Sequence, residues 1–145
     1  MVFSLFDPPQ TRRQKKAAKD ARAMRELAAR DAAIEFQMLA GYVRRAEEVQ
    51  HALYDADRDK EAYPIILLVS EARKTMGRMS TFASSFEYDL QADHANPSDA
   101  ASFEKLADFE LHGRQCLIIA RDEAKAHLVP LGIATLEGRQ SLGLI

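Results

Sequence analysis

Four acidic side chains fall on alternate positions in the stretch Asp55-Ala56-Asp57-Arg58-Asp59-Lys60-Glu61. Carboxylate oxygens at every second residue are how a calcium loop of the EF-hand type begins. Such a loop also needs glycine at its sixth position and a bidentate glutamate at its twelfth. Counted from Asp55, those positions hold Lys60 and Ile66. The lysine places positive charge at the sharp bend, and losing the glutamate removes two of about seven ligands. The run therefore reads as a solvated acidic turn at a helix end. Its carboxylates precede a second helix, whose N-terminal dipole favours negative charge. No metal and no cofactor is expected.

A second polar group interrupts the third helical stretch. Glu110, His112 and Cys116 fall where the apolar stripe should be strongest. Buried polar groups need partners. The three residues read as a satisfied core network, as an exposed face, or as a small pocket facing Glu35 or Gln37. The chain has no Gly-x-x-x-x-Gly-Lys phosphate loop, no Gly-x-Ser-x-Gly elbow and no His-Glu-x-x-His pair.

Arg121-Asp122 followed by His127 resembles the loose arginine-then-histidine pattern of HEPN-type ribonucleases, which are all-helical domains of about this size. Arg45 and His51 match it as well. With 13 arginines and four histidines, composition alone supplies such matches. The resemblance rests on these positions only, so a helical nuclease stands as a distant alternative and the family is not extended to the chain. No catalytic residue is assigned.

The elements that must position these groups are long helices. There are 24 alanines and only six glycines, a balance that favours helix over strand. The first helix is expected from after Pro8-Pro9 to about Ala56. Met24, Leu27, Ile34, Met38, Tyr42, Val49 and Leu53 supply its apolar stripe at steps suited to one face. At about 65–70 Å it would exceed the diameter of so small a domain, so part of it should project or pair with another chain. The second is expected from Pro64, well suited to a first helical position. Met76, Met79, Phe82 and Phe86 give it a soft apolar ridge, core or docking groove. The third opens at Asn96-Pro97, with Asp99 in its first turn, and ends at Pro130 and Gly132. Short connections between long helices predict an all-α antiparallel bundle of three, with a projecting first helix and a short C-terminal tail. The expected organisation is a flexible apolar docking segment over 1–10, a helical bundle over 11–129 and a tail over 130–145.

Charge is distributed unevenly. The chain carries a net −2, yet residues 11–30 hold eight basic and two acidic side chains, a net of +6. Arg12, Arg13, Lys15, Lys16, Lys19 and Arg22 form a basic arm suited to a polyanion or to an acidic partner surface. Ahead of it, Phe3, Leu5 and Phe6 are large apolar side chains that should seek a surface to cover, most sharply a groove on another protein.

The bulk numbers are those of a globular protein: 145 residues, 47% hydrophobic and 29% charged. A single cysteine, Cys116, forms no internal disulfide, and no apolar run suffices to span a bilayer. A cytoplasmic location is expected. Arginine outnumbers lysine 13 to 7, which with the alanine content hints at a GC-rich bacterial or phage genome. The expected function is non-enzymatic: a helical interaction or assembly adaptor that binds another protein and forms a homo-oligomer. Nucleic-acid binding through residues 12–30 is the alternative.

Overall fold

The computed structural model describes residues 9–93 and 100–145, with side chains described for 11–82 and 103–145. The chain is all-α. Helix α1 spans Pro9–Asp55, α2 Asp59–Asp93 and α3 Ala100–Ser141. The expected docking segment, with Phe3, Leu5 and Phe6, lies outside the described residues, as does the Asn96-Pro97 opening of the third helix.

Both expected proline boundaries move. Helix α2 begins five residues before Pro64, and α3 runs eleven residues past Pro130. An interior proline removes one backbone hydrogen bond and strains the preceding turn, a cost of about 3 kcal/mol. Here the carbonyls left over belong to Lys60 and Ala126. Both residues are exposed, as are Pro64 and Pro130, so water can reach those carbonyls. Burial then anchors the flanking turns. Ala62 and Ile65 lock the start of α2, and Leu131 and Gly138 lock the end of α3. The C-terminal tail is therefore only the few residues after Ser141, rather than all of 130–145. The longer α2 and α3, 35 and 42 residues, also narrow the length excess expected of the 47-residue α1.

The acidic stretch is a tight αα turn. Asp57 adopts a left-handed backbone, φ 59°. Its N–H donates to Tyr54 O at 3.0 Å, and the Arg58 N–H donates to Leu53 O at 2.8 Å. This is a Schellman cap, which satisfies the last carbonyls of α1. Helix α3 ends the same way, with Gly143 at φ 74° and the bonds Gly143 N–H to Gln140 O and Leu144 N–H to Arg139 O. Arg58 Nη1 donates to the Ser141 carbonyl and to Ser141 Oγ, and Ser141 Oγ donates to Glu61. One arginine thus ties the α1–α2 turn to the last carbonyl of α3, where the helix dipole favours a cation.

Two compact units make up the chain: Met1–Asp31 with Thr81–Ile118, and Ala32–Ser80 with Ile119–Ile145. Each takes a piece of all three helices. In the first, α1 turns Gln14, Ala18, Ala21, Arg25 and Ala28 inward, at alternating steps of four and three. Helix α3 answers with Phe103, Leu106, Glu110, Gly113 and Leu117 at the same steps. Such a seven-residue repeat keeps one seam facing a neighbouring helix. In the second unit the seam is apolar and better filled. Leu39, Val43, Ala46, Val49 and Leu53 of α1 are buried with Ile65, Val69 and Ala72 of α2 and Leu117's successors Ala120, Ala124 and Leu131 of α3. Leu39, Leu53 and Leu131 are fully enclosed, each contributing about 1.5–3 kcal/mol.

Glycines in this second unit separate cleanly. A Cβ at Gly138 would stand 2.4 Å from Val49 Cγ1, with Ile65 and Leu53 close behind, whereas one at Gly77 would meet nothing within 4 Å. Replacing Gly77 by alanine should raise stability by up to about 1 kcal/mol through helix propensity. Replacing Gly138 by alanine should lower it by about 1–2 kcal/mol, because overpacking outweighs that gain. Urea unfolding of the two variants checks the opposite signs.

Candidate functional site

On α1 the residues that face inward are not the large ones. Met24 and Leu27 are 44% and 59% exposed, while Ala21, Arg25 and Ala28 beside them are buried. In the second unit Ile34 and Met38 are also exposed, but there the inner side of α1 carries Leu39 as well as Ala32. The expected stripe of Met24, Leu27, Ile34 and Met38 is thus an outer stripe, and only its continuation at Val49 and Leu53 is core. A seven-residue repeat does exist among the large residues. In the first unit a second repeat, made of alanines and polar residues and offset by one position, occupies the seam instead.

The basic arm lies on the exposed sides of α1. Arg12, Arg13, Lys16 and Lys19 are exposed and pair with no carboxylate among the described residues. Lys15 sits over the Phe103 ring at 5.6 Å, and Arg22 Nε donates to Glu26 at 3.2 Å, so these two are partly engaged within the unit. An exposed i,i+4 pair such as the latter contributes only about 0.3–0.5 kcal/mol.

Glu110 is fully buried, and its partner is Arg25, whose Nε donates to Glu110 Oε2 at 2.5 Å. The second carboxylate oxygen, Oε1, has no hydrogen-bond partner among the described residues. His112 and Cys116 lie on other faces of α3. His112 is exposed, Cys116 is half-buried, and Nε2 stands 3.7 Å from Sγ. Glu110 thus belongs to a buried ion pair, while His112 and Cys116 meet each other on a more exposed side of α3. Glu35 has its own partner, Lys125, at 3.9 Å, and Gln37 is exposed.

In the second unit a polar chain crosses from α2 to α3. Thr75, fully buried, receives Arg78 Nη2 at 3.0 Å and stands 2.8 Å from His127 Nε2. Arg78 also donates to Glu123 at 2.7 Å. The hydroxyl accepts from the guanidinium, and the direction of its bond with the imidazole is set by the His127 tautomer. His127 is thus committed to the interior, while Arg121 bonds to the adjacent Asp122. The arginine and histidine of the nuclease-like pattern point to different partners. Arg45 likewise stacks on Tyr42, and His51 is exposed.

Asp55, Asp57, Asp59 and Glu61 are all exposed around the capped turn, and no group of three metal-capable side chains exists among the described residues. One Glu-x-x-His step of the kind used by di-iron bundles does occur, at Glu48 and His51. Both side chains are exposed. No described helix is long and apolar enough to cross a membrane. No family model matches the chain, and neither the curated proteins nor the solved structures include a significant match to it.

Two outcomes follow from this arrangement. Glu110→Ala should cost about 3–5 kcal/mol, because it strands a buried guanidinium, whereas the double change Arg25→Met with Glu110→Leu should be neutral or stabilising. Chemical denaturation of the two variants measures the difference. Thermal melts in calcium and in chelator should coincide, since the acidic turn offers no cage.

Proposed function

We propose that the protein is a non-enzymatic helical interaction and assembly protein that self-associates through the outer face of α1 and docks on another protein. The single observation that carries this reading is the inverted face of α1, which buries alanine and an arginine while exposing Met24 and Leu27. Covering a leucine or methionine side chain is worth about 1.5–3 kcal/mol, so a stripe of them left in water favours association. The apolar segment with Phe3, Leu5 and Phe6 supplies a further docking element in the same reading. Alanine- and arginine-rich composition suits a bacterial or phage setting.

A second reading, binding to nucleic acid, is favoured by the exposed cations Arg12, Arg13, Lys16 and Lys19. Against it stand the intervening Asp20 and Glu26, the net negative charge and the lack of an aromatic residue in the arm for base stacking.

Sedimentation equilibrium separates the readings. The wild-type chain should show a mass above 16.3 kDa at micromolar concentration, and Leu27→Asp should shift it toward 16.3 kDa. A wild-type mass of one chain at every concentration would contradict self-association. If the arm instead grips duplex DNA, exchanging its four unpaired cations for glutamine should flatten the salt dependence by about 0.9 in slope per lost contact.

A further inference from the structure

One groove of the second unit has no role in the reading above. It lies between α1 and α3, is open to solvent, has a volume of about 240 Å³ and is lined by Tyr42, Arg45, Gly132, Thr135, Leu136 and Arg139. The α3 residues recur at steps of three, one and three, so they share one face of that helix. Two guanidiniums border the groove, and neither pairs with a carboxylate among the described residues. Arg45 is held in place. Its guanidinium stacks on the Tyr42 ring at 4.9 Å, and its Nε donates to Gly41 O at 3.3 Å. Its two terminal nitrogens remain available as donors. Arginine of this kind presents a preorganised fork suited to a carboxylate or phosphate. The Thr135 hydroxyl is spent on Leu131 O at 2.7 Å, which leaves the arginines as the principal donors facing the groove.

Gly132 contributes to the wall of the same groove. A glycine within a helix is a poor helix former, and packing explains it at Gly138, where an added Cβ would collide with Val49. At Gly132 packing does not. A Cβ there would meet Tyr42 Cε2 at 3.6 Å, an ordinary contact. What the missing side chain does provide is the open wall of the groove between Tyr42 and Leu136.

From this geometry we infer that the Tyr42–Arg139 groove is a binding site for a small oxyanion carried on a ring-sized apolar body. The carboxylate or phosphate is held by Arg45 and Arg139, and the ring rests against Tyr42 and Leu136. At about 240 Å³ the groove is smaller than the roughly 300–1,000 Å³ of sites for drug-sized ligands, which suits a single ring with its anionic group.

Phenyl phosphate, benzoate, inorganic phosphate and phenol, each titrated into the full chain at fixed ionic strength, test the site by proton–nitrogen correlation spectra. Phenyl phosphate or benzoate should give saturable shifts at Gly132, Thr135, Leu136 and the side chains of Arg45 and Arg139. Which of the two binds more tightly identifies the oxyanion. Inorganic phosphate should bind more weakly than phenyl phosphate, and phenol should not saturate. Arg139→Gln should weaken binding about tenfold. Gly132→Ala should leave the melting temperature unchanged or higher while weakening binding, a combination that a purely structural role for Gly132 would not give. The proposal is overturned if neither anion saturates, if phenol binds as well as they do, or if Arg139→Gln leaves the affinity unchanged.

Discussion

Alanine on the inner side of α1 is the constraint from which the rest of the first unit follows. A buried alanine removes little more than one methyl from water, worth about 0.8 kcal/mol per carbon. Ala18, Ala21 and Ala28 therefore give that seam little apolar stabilisation. Leu106 and the partly buried Phe103, Ala107 and Phe109 supply the bulk from α3. Into this thin interior the chain places a charged pair, Arg25 with Glu110. Desolvating two ions costs several kcal/mol, and only close geometry offsets it. The pair is thus a matching device more than a source of stability. It penalises any register in which Arg25 does not meet Glu110, which matters where alanines alone would slide past one another at little cost.

The second unit solves the same problem with size. Leucine, valine and isoleucine fill its seam, and its polar residues are tied into a chain from Glu123 through Arg78 and Thr75 to His127. Its close helix contacts need Gly138, and its turn is held by the Arg58–Ser141–Glu61 clasp. Large side chains left over on α1 then face outward in both units.

Helix content and the first helix's limits were legible in the sequence, because alanine content and periodicity act locally. The two proline boundaries were not. Pro64 and Pro130 stop helices by their intrinsic preference, and that preference yields where the lost carbonyl faces water and the next turn is anchored in the core. The seam on α1 was misread for a related reason. Hydrophobicity ranks methionine and leucine above alanine, yet close packing selects small residues, and the two repeats lie one residue apart. Glu110 was legible as a polar residue in a stripe, but its partner Arg25 was hidden among the other cations of the arm. The groove at Tyr42 left only Gly132 as a trace, which the sequence presented as a helix terminator.

The central claim is that the outer stripe of α1 is covered when the protein assembles. Peroxide oxidation of the native methionines, resolved by peptide mass spectrometry over a range of protein concentrations, tests it directly. Met79 is buried and serves as the internal reference, while Met24 is 44% exposed in the single chain. If the account holds, Met24 oxidises quickly in dilute solution and becomes protected toward the Met79 rate as concentration rises. Rapid oxidation of Met24 at every concentration would contradict it.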